Sequence, residues 1–141
     1  MKSFVVILFF QLFSIILFAQ AELEFQKEYI TLGKLNLEDE YVVCKAFYKN
    51  IGNLPLYLTS YTTTCPCVEV DYSEEAIAPG DSAFITIKYT FRYEGKFRQS
   101  ISMHYFMPDA DQDPRKIVTI IGNVIGKKDD EVLTKEELSQ S

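Results

Sequence analysis

Tryptophan is absent from the 141 residues, histidine occurs once and cysteine three times. Each scarcity closes off a class of function. Zinc wants four ligands, and beside Cys65 and Cys67 the chain offers only His104 and Cys44. No Gly-rich phosphate loop, Ser-His-Asp set or pair of buried carboxylates can be picked out. The reading is therefore non-enzymatic, with no catalytic residue, no cofactor and no metal assigned. An odd number of cysteines leaves at least one thiol free or paired elsewhere. Cations are also short: 14 Lys and Arg stand against 20 Asp and Glu, a net charge of −6. That balance keeps a small domain soluble and argues against binding nucleic acid or anionic lipid through net charge.

The apolar run at the start is too short to span a bilayer, which takes about 20 residues. It covers Phe4 to Phe18, is interrupted by Gln11 and Ser14, follows the positive Met1-Lys2, and ends at Ala19-Gln20-Ala21. These features predict a signal peptide over residues 1–21, cleaved after Ala21, rather than a membrane anchor. No cysteine follows the cleavage site, so nothing supports lipid attachment, and no stable span remains after cleavage. Removing the segment takes away one cation and no anion, which moves the charge from −6 to −7. The protein is expected to be exported, to the periplasm or outside the cell.

What remains, about 120 residues, suits one domain with one core. Nine tyrosines and eleven phenylalanines, five of the latter in the leader, exclude a disordered chain. The strands offer enough apolar surface that no disulfide staple is needed for folding. Leu23 to Leu32 reads as one edge strand ending at Gly33. In Tyr41 to Tyr48, Val42, Cys44, Ala46 and Tyr48 share one face, opposite Val43, Lys45 and Phe47. Asn50-Ile51-Gly52-Asn53 has residues that tolerate positive φ and predicts a hairpin into Leu54–Tyr61. Pro55 belongs at a strand start or an edge.

A short strand, Val68 to Tyr72, precedes the Pro79-Gly80 turn. Ser82 to Phe91 alternates, with Ile85, Ile87, Tyr89 and Phe91 inward. From Gly95, Phe97, Gln99, Ile101, Met103 and Tyr105 share a face. Lys116 to Ile125 closes the fold, with Val118, Ile120 and Val124 inward and Gly122 leaving room for a neighbour. The composition turns charged after Gly126, and Thr134 with Glu137 matches a capping box. The expected architecture is all-β: an antiparallel immunoglobulin-like β-sandwich of seven to eight strands over residues 22–126, followed by a charged tail over 127–141.

Five motifs follow one another along the chain: Asn50-x-Gly52 with Pro55-Leu56, Cys65-x-Cys67, Ile77-x-Pro79-Gly80-Asp81, Gly95-x-Phe97 and Ile120-x-Gly122. In this order they resemble the exported bacterial domain-of-unknown-function family 1573. The resemblance covers roughly residues 23–126. It implies an immunoglobulin-like sandwich akin to major-sperm-protein, pilus-chaperone and cilia-associated domains, and it implies no activity. The chain departs from the family in carrying Pro66 where glycine is usual, and in its additional Cys44.

Cys65 and Cys67 are the candidate thiol pair, with three readings open: two small structural residues at a strand end, a redox pair, or a soft-metal site suited to Cu(I). In an extended strand residues i and i+2 lie roughly 6.5 Å apart at Cα, near the upper limit for a disulfide. A turn at Pro66 shortens that span. Cys44 points to the core, and a hairpin register would set it opposite residue 60, about 16 Å along the strand from Cys65. His104 alternates with inward Met103 and Tyr105 and is expected at the surface. Asp39, Asp71, Asp81 and the acidic 109–113 loop offer oxygen ligands, but the glycine and closing glutamate of a calcium loop are missing. Binding of a protein partner by strand addition is expected at the flanking strands Leu23–Leu32 and Lys116–Ile125. The function read from the sequence is an exported protein-binding or structural module. The alternative is a periplasmic thiol protein, redox or copper-binding, that uses the Cys-Pro-Cys corner.

Overall fold

A computed structural model of the chain describes residues 19–108 and 113–126. The apolar run of the leader, residues 109–112 of the acidic loop and the charged tail with its capping box lie outside the described residues. Eight strands follow in order: β1 (Leu23–Phe25), β2 (Tyr29–Asn36), β3 (Tyr41–Asn50), β4 (Leu58–Thr63), β5 (Val68–Asp71), β6 (Ser82–Thr90), β7 (Gly95–Tyr105) and β8 (Arg115–Ile125). A single 3-10 turn, Leu37–Asp39, separates β2 from β3; the Asn36 side chain caps it by accepting from the Glu38 N–H. One sheet runs β1-β3-β6-β5 and the other β2-β8-β7-β4. The expected sandwich is what the chain forms, with one amendment. β2 lies parallel to β8, from Tyr29 beside Thr119 to Asn36 beside Ile125, while the other strand pairs are antiparallel.

The period-two pattern builds the core. Ile85, Ile87 and Tyr89 of β6 face Ile101, Met103 and Tyr105 of β7 and Val118, Ile120 and Val124 of β8 across the space between the sheets, all buried. Full burial of an aliphatic side chain of this size contributes about 1.5–3 kcal/mol. On β3, Ala46 and Tyr48 are buried, and Val42 and Cys44 are half-buried towards the open end of the same face. Gly122 makes the room expected of it. A Cβ there would stand 2.6 Å from the Phe97 ring, so Gly95-x-Phe97 and Ile120-x-Gly122, the last two motifs, are two halves of one packing joint.

Three expectations are corrected. Leu23–Leu32 is not one strand. β1 buries Leu23 and Phe25 in the first sheet, and after the Gln26 N–H bonds the Phe47 carbonyl (2.9 Å) the chain passes to the second sheet as β2. Residues 50–53 do not close a hairpin, because β3 and β4 belong to opposite sheets and the segment is a crossover. None of its residues has a positive φ. Asn50, fully buried, holds the crossing: its Nδ2 donates to the carbonyls of Leu54 (2.7 Å) and Ile77 (3.0 Å), and its Oδ1 accepts from the Gly52 N–H (3.0 Å). The Asn50 N–H bonds the Asp81 carbonyl and the Gly80 N–H bonds the Asn50 carbonyl. Gly52 is needed for space. A Cβ there would fall 2.1 Å from the Gln20 carbonyl oxygen, where the Asn53 and Leu54 N–H groups also converge. Cys44 consequently sits opposite Ile87, not residue 60.

The third correction concerns edges. β8, an expected edge, lies inside its sheet between β2 and β7. A strand with three buried residues on one face and half-buried Ile121 on the other needs cover on both sides. The free edges belong to β1 and β5 in one sheet and to β2 and β4 in the other.

Candidate functional site

Between β4 and β5 the chain turns from one sheet to the other through Thr64-Cys65-Pro66-Cys67. Cys65 and Cys67 are joined by a disulfide, their Cα atoms 5.1 Å apart. The turn at Pro66 thus brings them below the extended-strand spacing and within bonding range. Cys44 remains a free thiol, half-buried on β3, and burial pushes its pKa upward.

The corner is held by its own hydrogen bonds. Thr63 Oγ1 donates to the Cys65 carbonyl (2.7 Å), the Val68 N–H to the same carbonyl (3.2 Å), and the Thr90 N–H to the Cys67 carbonyl (3.0 Å). Thr64 is tied to β7, its N–H to the Ser100 carbonyl (3.2 Å) and its Oγ1 to Gln99 Oε1 (2.8 Å). The Cys67 N–H points at Cys65 Sγ, 3.2 Å away. An open groove of about 560 Å³ runs past both cysteines and Pro66, with Arg92, Tyr93 and Gln99 among its walls. Tyr93 is 82% exposed, so the groove carries an uncovered aromatic rim.

His104 departs from expectation. It is buried, as are its neighbours Met103 and Tyr105, so burial no longer follows the alternation of faces at this end of β7. The cause is two polar flanks: Asp113 Oδ2 meets Nδ1, and Thr62 Oγ1 lies 3.3 Å from Nε2. Thr62, His104 and Asp113 therefore form a hydroxyl–imidazole–carboxylate chain that no sequence spacing announced, because it joins β4, β7 and the far side of a loop. In a hydrolytic triad the acid is buried. Here the Asp113 side chain is 67% exposed, which makes the arrangement a tie between strands and loop. Of the oxygen ligands considered for calcium, Asp109 and Asp111 lie outside the described residues. Among the described residues no three His, Cys, Asp or Glu side chains converge as a metal site would require.

A second surface feature lies on the outer face of the first sheet. Tyr41, Val43 and Phe47 of β3 and Phe84 of β6 are each about half exposed. The Phe47 and Phe84 rings meet across the strands at a tilt of 58°, centroids 5.7 Å apart. Lys45 Nζ stands 4.4 Å over Phe84, and Lys88 Nζ 4.8 Å over Tyr41. Two central strands thus display a strip of rings with ammonium groups between them.

Two four-stranded sheets packed around one core define an immunoglobulin-like β-sandwich. The chain belongs to the family described as "Protein of unknown function (DUF1573)", which it matches over residues 23–124. No curated protein matches it. Among solved structures, a protein of unknown function from Porphyromonas gingivalis W83 is 23% identical at a TM-score of 0.59, covering 74% of this chain and 48% of its own. The VesB protease of Vibrio cholerae is 15% identical at 0.58, covering 74% of this chain and 32% of its own. The ASH/PapD-like domain 7 of human CEP192 is 12% identical at 0.58, covering 77% and 88%. The chain thus spans half or less of the first two, and at these identities the likeness is one of fold. Among the described residues no helix is long and apolar enough to cross a membrane.

Proposed function

We propose that this protein is an exported, non-enzymatic domain, periplasmic or secreted, that binds another protein through the outer face of the β1-β3-β6-β5 sheet. The apolar run closed by Ala19-Gln20-Ala21 supports export. The observation that carries the binding is the strip of Tyr41, Val43, Phe47 and Phe84, each 44–52% exposed on the two central strands. Contiguous exposed apolar surface with a polar border marks an interaction site, and aromatic residues dominate contact energies. Lys45, Lys49 and Lys88 lie on the same face, Lys88 paired there with Glu69 (3.8 Å), so the partner it fits presents apolar side chains bordered by carboxylates that meet Lys45 and Lys49.

Strand addition is the weaker route. β2 is bulged between Thr31 and Gly33 and carries Lys34, and β4 is bulged between Leu58 and Ser60. The Thr59 carbonyl already accepts from Tyr72 Oη (3.0 Å). Bulges and charges are the means by which edges are kept from pairing.

The test compares two paired substitutions at apolar residues of similar fractional exposure. Phe47→Ser with Phe84→Ser strips the proposed face, and Ile117→Ser with Ile125→Ser strips exposed residues of β8. Chemical cross-linking of the natively exported protein should lose its discrete partner bands in the first pair and keep them in the second. Retention of those bands in the first pair contradicts the reading.

A further inference from the structure

The five motifs resolve into two kinds. Asn50 and Gly52 meet Ile77, Gly80 and Asp81 in one hydrogen-bonded joint, where Leu56 also exchanges backbone bonds with Ile77. Phe97 meets Gly122 in another. The Cys65–Cys67 pair has no such partner, and the binding face does not use it. We propose that Cys65–Cys67 is a reversible thiol–disulfide exchange site whose substrate is a thiol, entering by the groove beside Arg92 and Tyr93. This proposal goes beyond the binding reading and does not depend on it.

Four observations lead there. The bond closes a ring with only Pro66 between its ends, so it restrains the unfolded chain far less than a long-range disulfide and makes a poor staple. The corner keeps its shape through backbone and threonine hydrogen bonds that do not involve sulfur. Reduction therefore leaves both thiols facing each other, ready to close again. The groove admits a nucleophile; the guanidinium of Arg92 in its wall favours the approach of a thiolate, and the one carboxylate in that wall, Glu69, is paired with Lys88 (3.8 Å). Finally, the Cys67 N–H aimed at Cys65 Sγ stabilises negative charge on that sulfur, which makes Cys65 the better leaving group.

The reaction follows from that asymmetry. A substrate thiolate attacks Cys67 Sγ and forms a mixed disulfide. The Cys65–Cys67 bond breaks, and its electron pair leaves on Cys65 as a thiolate held by the Cys67 N–H. A second substrate thiolate then attacks the substrate sulfur of the mixed disulfide and releases Cys67 as a thiolate. Two thiols are oxidised to one disulfide, the protein pair is reduced by two electrons, and two protons end on Cys65 and Cys67. The reverse sequence reoxidises the pair. Cys44 takes no part: it lies on β3, opposite Ile87.

The test uses the full chain in its folded state. Graded ratios of reduced to oxidised glutathione are followed by acid quenching, alkylation and peptide mass spectrometry, with circular dichroism recorded alongside. The expected result is reversible conversion of Cys65–Cys67 to the dithiol with the fold unchanged and Cys44 free of any glutathione adduct. Cys65→Ser should accumulate a glutathione adduct on Cys67 at least tenfold above the adduct on Cys65 in Cys67→Ser. A cysteine-bearing unstructured peptide serves as the second probe. Faster reaction with the peptide assigns the groove to protein thiols, and slower reaction to small thiols. A bond that opens only when the protein unfolds, or equal adducts in the two variants, overturns the proposal.

Discussion

Tyr48 carries a sharp energetic prediction. It is 1% exposed on β3, its ring meets Phe25 edge-on with centroids 6.2 Å apart, and its hydroxyl has no hydrogen-bond partner among the described residues. Burial pushes its pKa up to about 12. The group is an acid whose neutral form the fold prefers. Its contribution is therefore complete below the unfolded pKa near 10 and is lost as pH rises towards 12. The loss amounts to about 1.4 kcal/mol at pH 11 and about 2 kcal/mol at pH 12. Tyr48→Phe keeps the ring and removes both the unpaired hydroxyl and this titration. At pH 7 the variant should be more stable by about 1 kcal/mol, since a buried hydroxyl without a partner is unfavourable by that order. In a domain of about 120 residues that raises Tm by about 4 °C. Thermal unfolding followed by circular dichroism from pH 7 to 11.5 reads both effects. The gap between Tyr48→Phe and wild type should widen above pH 10. A variant less stable than wild type at pH 7, or a gap that does not change with pH, refutes the reasoning.

Asn50→Ala removes three side-chain hydrogen bonds at a fully buried crossing and should lower stability by about 2–4 kcal/mol in urea unfolding, with the m-value unchanged. Gly52→Ala places a Cβ against the Gln20 backbone, so it should cost about 2 kcal/mol in the chain that retains residues 1–21. That penalty should shrink in a chain beginning at Glu22, where the Gln20 carbonyl is gone and only the Glu22 nitrogen, 2.7 Å away, still crowds the new Cβ; an undiminished penalty would locate the strain elsewhere. Cys65→Ser with Cys67→Ser should cost no more than about 1.5 kcal/mol, because a ring this small takes little entropy from the unfolded chain. A loss above about 3 kcal/mol in the same urea experiment would make the bond a staple.

The layer architecture was readable because inward positions recur every second residue. Ile85, Ile87 and Tyr89, and Val118, Ile120 and Val124, are buried where the pattern puts them. Connectivity was less readable. Asn-x-Gly serves a hairpin turn and an Asx-stabilised crossover equally well, and only the Asn50 bond to Ile77, 27 residues away, separates the two. The same long-range logic hid the parallel pairing of β2 with β8 and the central place of β8. At the surface, alternation placed His104 outward, and it lies on that side of β7. Its burial depends on Thr62 and Asp113, whose approach no local pattern encodes. Cys65 and Cys67 were visible as a pair, yet the Cys67 N–H aimed at Cys65 Sγ, which distinguishes one sulfur from the other, is a property of the folded turn.

The most direct measurement of the binding reading places a photo-reactive phenylalanine analogue at position 84, and in a parallel protein at position 117, and irradiates each in its exporting cells. Both sites are about half exposed, on opposite sheets. A protein-sized adduct that forms from position 84 and fails from position 117 is the predicted result. Adducts of equal yield from both positions, or none from position 84, would contradict it.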